Sequence, residues 1–304
     1  MTLLRIKDKV GSRTYLGLLT AVLAVSWAAI LVRWCGDAPA LIIAFYRMFW
    51  ATGIFAALYF RRPAQKRQLN LSRKSKWLIL FSGMMLALHF AAWIGSLKFT
   101  SVAHALTLGA TGPIFALLLA PFLLKEHIDR RAIVAVVLAF AGIVVIAGQD
   151  FRIESDQFIG DMLALSSAIF VTLYLFVARM TRGEIDLMPY LTLVYGAAAL
   201  ILLIFNLAAN HNLVDYSPRV HLLFLLLALV PTGVGHSLIN WAARRIEVYK
   251  VNLAVLGEPL IASILAYFFF QELPLGWFYA GAALILGGIA LALWEGKTKV
   301  GSKK

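Results

Sequence analysis

The sequence is short of charge, of acidic residues and of cysteine, and each shortage removes a class of protein. Charged residues make up 14% of the 304 and hydrophobic ones 62%, with a mean hydropathy of +0.84. Soluble domains run at roughly 25% charged and 45–50% apolar. One soluble core cannot hide such a surplus, because surface falls only slowly relative to volume. The bilayer is the expected solvent. Cys35 is the only cysteine, which excludes an intrachain disulfide and a cysteine metal cluster. No Gly-x-x-x-x-Gly-Lys-Ser/Thr run occurs, so the chain has no loop to cradle the phosphates of ATP. No second His or carboxylate falls at zinc spacing on one predicted helix, and neither a metal nor another cofactor is expected.

The net charge of +13 sets 28 Lys and Arg against 15 acids. A nucleic-acid-binding protein gathers such cations on a soluble face. Here they lie in short gaps between apolar runs, so no nucleic-acid partner is expected. Met1–Arg13 is polar and basic, and Tyr15–Trp34 follows without an Ala-x-Ala-like cleavage site. That run has the length of a membrane span and reads as a retained helix.

About 20 apolar residues cross the hydrocarbon layer as a helix, and backbone groups unpaired in lipid force each run to be helical. The runs are Tyr15–Trp34, Ala40–Phe60, Trp77–Leu97, Val102–Leu124 and Ala132–Gly148. After a polar break, Gln149–Gln157, come Gly160–Arg179, Pro189–Ala209, Val220–Ala242, Val248–Phe270 and Leu275–Trp294. The predicted class is an all-α integral membrane protein of ten spans. With the N-terminus inside, only Arg33, Lys98, Arg152 and Arg219 fall outside and Arg47 within a span, leaving 23 of the 28 basic residues inside. That asymmetry predicts both termini on the cytoplasmic side of an inner, cytoplasmic membrane.

Shifted by 146 residues, the chain registers on itself. Pro113 falls on Pro259, Ala116 on Ala262, Ala120 on Ala266, Glu126 on Glu272 and Gly142 on Gly288. The chain therefore divides into two five-helix repeats, residues 1–148 and 149–304, within one membrane domain. An odd number of spans per copy makes the repeat inverted, the arrangement that lets a transporter open one midplane site to each side in turn. Gly112-Pro113 and Gly257-Glu258-Pro259 interrupt corresponding spans, and such matched breaks point either to a binding or gating site or to packing kinks.

The residues Ser26-Trp27-Ala28, Phe45-Tyr46-Arg47 and Ser96-Leu97-Lys98-Phe99-Thr100-Ser101 carry a family resemblance. So do Pro113 with Lys125-Glu126, Glu258-Pro259 with Gln271-Glu272-Leu273, and Gly287-Gly288. Over essentially the whole chain they resemble the EamA-type members of the drug/metabolite transporter superfamily. The resemblance implies ten helices around a central cavity and export or exchange of amino acids or other metabolites. Aromatic amino-acid exporters are the members to compare first.

Ionisable side chains inside spans are costly and so become functional candidates. Arg47 suits a substrate carboxylate or phosphate, or else a structural or gating role. Glu258 is the only acid deep in a span; it either carries protons, caps the helix beside Pro259 or pairs with Arg47. Pro113 and Pro259 join these two as gating or coupling candidates. His89 falls on Gly235 by the repeat offset, next to His236, which predicts that the two histidines lie near each other. Trp93 is four residues after His89, and Asn240 four after His236, so each pair shares a helix face. These four are the predicted substrate-binding residues, and Tyr46, Trp27 and Tyr174 are further cavity candidates for which ordinary packing is the favoured alternative. His104 is expected to pack near the outside end of its span. Glu126 and Glu272 are expected to hold the start of the next helix, where a carboxylate meets the positive end of the dipole. His127-Ile128-Asp129 has no role assigned by the sequence.

The reading is a secondary transporter of amino acids or related metabolites, monomer or homodimer, with the bilayer and a small solute as partners and protons as a coupling ion. A carrier of nucleotide-linked, phosphorylated or drug-like solutes is the alternative in the same class, and a channel or membrane sensor the alternative in another. An intramembrane enzyme would need a clustered set of acids or histidines, and the spans hold one deep acid and scattered histidines.

Overall fold

A computed structural model describes residues 12–63, 69, 71–99, 105, 108–147, 155–271 and 276–294. Every regular element among the described residues is a helix. We label them α1 (Ser12–Trp34), α2 (Ala40–Phe60), α3 (Arg73–Phe99), α4 (Gly112–Leu123), α5 (Arg130–Ala147), α6 (Ser155–Met180), α7 (Leu187–Ala208), α8 (Pro218–Ala243), α9 (Val248–Phe270) and α10 (Gly276–Leu293). Eight of them, α1–α3 and α6–α10, are long and apolar enough to cross a membrane; α4 is a shorter apolar helix. His104, Glu272, the terminal basic residues and most of the break Gln149–Gln157 lie outside the described residues.

Caps set where the helices begin. The Ser72 hydroxyl accepts from the backbone N–H of Ser75, which starts α3 a turn earlier than hydropathy alone predicts. Ser217 does the same for α8, with Pro218 at the first helical position. α6 begins at Ser155, inside the expected polar break, because polar residues can extend a helix past the hydrocarbon layer. α1 is broken at Ser26, whose hydroxyl donates to the carbonyl of Val22 at 2.7 Å. α9 is broken at Leu256, where Pro259 withholds its backbone donor.

Large apolar side chains such as Phe122, Val137, Leu200 and Phe268 are exposed on the outer surface of the bundle. A water-soluble surface would not tolerate them in such numbers; a lipid-facing one requires them. The chain is a multi-pass membrane protein.

Two ends of the bundle are tied by polar contacts. At one, Arg179 at the end of α6 bonds Glu126 at 2.6 Å and the carbonyls of Ala243 and Ile246. Arg244 reaches the carbonyls of Thr181 and Ile185, and Glu184 accepts from the hydroxyls of Ser72 and Ser75. At the other end, Lys98 donates to the Gly36 carbonyl, Asn206 to that of Leu41 and Tyr46 to that of Leu213. Glu126 thus does not hold the start of α5. Asp129 does, accepting from the N–H of Ala132 at 2.7 Å, while the Arg179 guanidinium claims Glu126 because it is a charged partner within reach.

The Ser75 and Ser72 hydroxyls hold the Glu184 carboxyl below its ordinary range. A lowered folded-state value means the contact stabilises above the ordinary carboxylate range and is lost as pH falls through the lowered value. Glu184→Gln is expected to make the acid side of a pH–stability curve shallower, measured by thermal unfolding between pH 3 and 7 (an illustrative range set by ordinary carboxylate titration). An unchanged acid limb would show the contact to be energetically silent.

Contacts recur at the 146-residue offset. The Ser26 hydroxyl reaches the carbonyl of Glu258, and the Thr172 hydroxyl that of Gly112. Gly235 packs on Ala21 and Val25, and His89, its counterpart, bonds Ser167, the counterpart of Ala21. Gly142 lies against Gly281 and Ile285, and Gly288 against Ala135 and Ala139. These three pairs of contacts place α1 on α8 as α6 lies on α3, and set α5 reciprocally against α10.

Candidate functional site

The breaks in α1 and α9 and the start of α4 leave a space of about 810 Å³, counted out to its mouth. Arg47, His89, Trp93, His236 and Glu258 stand on its wall, as do Pro113 and Pro259 from the two matched breaks. Asn252, Ser167 and Phe90 line it too, without having been picked out from the sequence.

Arg47 is 1% exposed. Its Nε donates to the Thr232 hydroxyl at 2.7 Å and its Cζ lies 4.0 Å from the centre of the Phe90 ring. Nη2 is buried without a partner among the described residues. A guanidinium held on one side and free on another is arranged to receive an acceptor. Glu258 sits at the break of α9 on the same cavity, and no ion pair joins it to Arg47 among the described residues. Cation and carboxylate therefore face one space within electrostatic reach of each other but without direct contact among the described residues.

The His89 and His236 rings lie 6.0 Å apart, centre to centre, with Phe90 edge-on to His236 at 5.0 Å. His89 Nδ1 is engaged by the Ser167 hydroxyl at 2.8 Å, while His236 Nδ1 is buried without a partner among the described residues. Trp93 shares the cavity wall with His89, as its four-residue spacing predicts. Asn240 does not stand on the wall beside His236. Its amide N–H donates back to the His236 carbonyl and to the Tyr174 hydroxyl in the packing of α8 on α6, and its Oδ1 is buried without a partner among the described residues. Tyr46 stacks on Phe224 at 4.9 Å near the end of the bundle, and Trp27 packs against Phe269, both away from the lining. Among the described residues, no group of three His, Cys, Asp or Glu is placed to hold a metal.

The family model for the EamA-like transporter family matches residues 12–148 and again 158–294. The chain belongs to the EamA-like transporter family. The second match of this EamA-like chain begins 146 residues after the first (158 less 12), the offset at which the contacts recur. An S-adenosylmethionine uptake transporter of Rickettsia bellii is 26% identical over 274 residues, covering 86% of each chain. An uncharacterised transporter of Bacillus subtilis is 22% identical over 266 residues, covering 86% of this EamA-like chain and 84% of its own. A solved crystal structure overlays with a TM-score of 0.75 at 18% identity, over 93% of this chain and 96% of that one, and so shares the fold.

Proposed function

We propose that the chain is a secondary transporter that moves an amino acid or a related metabolite across the inner, cytoplasmic membrane, by export or exchange and alternating access through this cavity. The carrying observation is that Arg47 and Glu258 face one space within electrostatic reach of each other, with no direct ion pair between them among the described residues. A zwitterion has the complementary pair of charges, a carboxylate for the guanidinium and an ammonium for Glu258. His89, His236 and Trp93 supply hydrogen-bonding and aromatic surface for the remainder. S-adenosylmethionine, named for the Rickettsia relative, also bears an α-amino-acid group, so both solutes share the headgroup the cavity suits.

The reciprocal contacts favour ten helices in two inverted repeats. α1 ends where Lys98 meets Gly36, whereas α6, its counterpart, ends where Arg179 meets Glu126. Those are opposite ends of the bundle, as inversion requires. The end that gathers Arg179, Arg182, Arg244 and Arg245 is the cytoplasmic one in this reading, with both termini on that side. Glu258 is the coupling group, loading a proton when the solute leaves, and the breaks at Pro113 and Pro259 are the hinges.

The test is uptake of labelled amino acids and S-adenosylmethionine into proteoliposomes, preloaded or empty, with and without an imposed pH gradient. Saturable uptake that accelerates with preloaded solute is expected. Uptake that never saturates would favour a channel, and no uptake of any of these solutes would overturn the amino-acid headgroup.

A further inference from the structure

α8 does not run as one regular helix: Ala228–His236 form a nine-residue π-helical segment around Pro231. Its bonds reach five residues back. The Ser237 N–H donates to the Thr232 carbonyl, and the Thr232 hydroxyl to the Leu227 carbonyl at 3.0 Å. Such widened turns are frequent at functional sites, and they re-aim the side chains that follow. Here the widening brings the Thr232 hydroxyl to Arg47 Nε on α2. Thr232 is fully buried, so no water competes for that hydroxyl. The Phe90 ring fixes the plane of the same guanidinium from α3.

Two elements, α8 and α3, thus orient one side chain of α2 whose Nη2 is left without a partner among the described residues. The π segment ends at His236, whose Nδ1 is also buried and without a partner among the described residues, and both Arg47 and His236 line the cavity. Buried polar atoms without partners cost free energy, and a two-oxygen acceptor relieves that cost for Arg47 Nη2 and, in its Nδ1–H tautomer, for His236. We infer that the π segment of α8 builds the carboxylate end of the solute site, with Thr232 as the positioning residue that aims Arg47 and His236 as its second wall. The inference rests on the reading of the cavity as an amino-acid site and names the part of it that recognises the acid group. Thr232 touches no solute in this arrangement; it acts through Arg47.

Thr232→Val keeps the volume and removes the hydroxyl, while Thr232→Ser keeps the hydroxyl. Uptake kinetics in proteoliposomes use labelled L-phenylalanine and S-adenosylmethionine, with phenethylamine, which lacks the carboxylate, as competitor. Thr232→Val is expected to raise KM for the labelled solute about tenfold with Vmax within about twofold, the signature of lost uniform binding. Thr232→Ser should stay within about twofold of the wild type, the margin allowed for retaining the hydrogen bond. Inhibition by phenethylamine should be the same in the wild type and in Thr232→Val. An unchanged KM in Thr232→Val overturns the assignment, as does a loss in Thr232→Ser equal to that in Thr232→Val. Equal weakening of phenethylamine also overturns it, since that marks general damage to the cavity. A wild type that takes up neither labelled probe fells the amino-acid reading and this inference with it. A wild type that transports, beside a silent Thr232→Val, fells this inference alone.

Discussion

Glu258→Gln is expected to lower uptake of the transported solute at least about tenfold and to abolish its response to a pH gradient. The carboxylate stands on the cavity wall at the break of α9, with no cation paired to it among the described residues. A hydrogen bond to a charged group contributes roughly 1.5–3 kcal/mol, which is about 10- to 150-fold in affinity. Glutamine preserves the volume and one acceptor, so the loss measured is that of charge and of the proton. The break itself is held elsewhere, by Pro259 and by the Ser26 hydroxyl on the Glu258 carbonyl, and should survive. The measurement is uptake at matched and unmatched internal and external pH. Glu184→Gln, at the end of the bundle and off the cavity, is the control and should transport as the wild type does. If Glu258→Gln retains both rate and pH response, Glu258 is a structural cap and the coupling group lies elsewhere.

The spans were legible because lipid imposes one strong rule, and α2 and α9 run over the residues that hydropathy alone predicts. Their polar ends were less so, since a serine cap decides where α3 starts and lies outside any apolar window. The repeat offset located the pairing of His89 with His236, because an offset carries information between distant helices. Four-residue spacing carried less. It put Trp93 on the cavity with His89, but failed for Asn240, where back-bonding to the His236 carbonyl turns the amide toward Tyr174. Tyr46 and Trp27 were drawn from motifs rather than from relations between helices, and they pack away from the lining. Thr232 had no signal of its own. Pro231 beside Gly233 marks an irregular stretch, but which side chain that stretch presents depends on a π turn that no periodicity reveals.

Gly142→Val and Gly288→Val are expected to destabilise the protein, and by similar amounts. A Cβ at Gly142 would lie 2.5 Å from the Gly281 carbonyl oxygen, and one at Gly288 would lie 2.6 Å from that of Ala135. Backbone cannot turn aside as the end of a side chain can, so α5 and α10 must separate. Helices in lipid associate through close packing of small residues rather than through the hydrophobic effect, and separation removes that contact along the seam. Overpacking of this kind costs about 1–3 kcal/mol where side chains yield, and more where only backbone can move. Gly53→Val is the control: nothing lies within 4 Å of its Cβ, on the same kind of apolar helix. Thermal unfolding in lipid nanodiscs should show both variants well below the wild type and Gly53→Val close to it. The equality carries the argument, because each glycine meets the other's counterpart neighbours, 281 and 285 against 135 and 139. A large loss at one position and none at the other would mean that the two copies share a sequence offset but not a reciprocal seam, and the alternation of two equivalent halves would lose its structural basis.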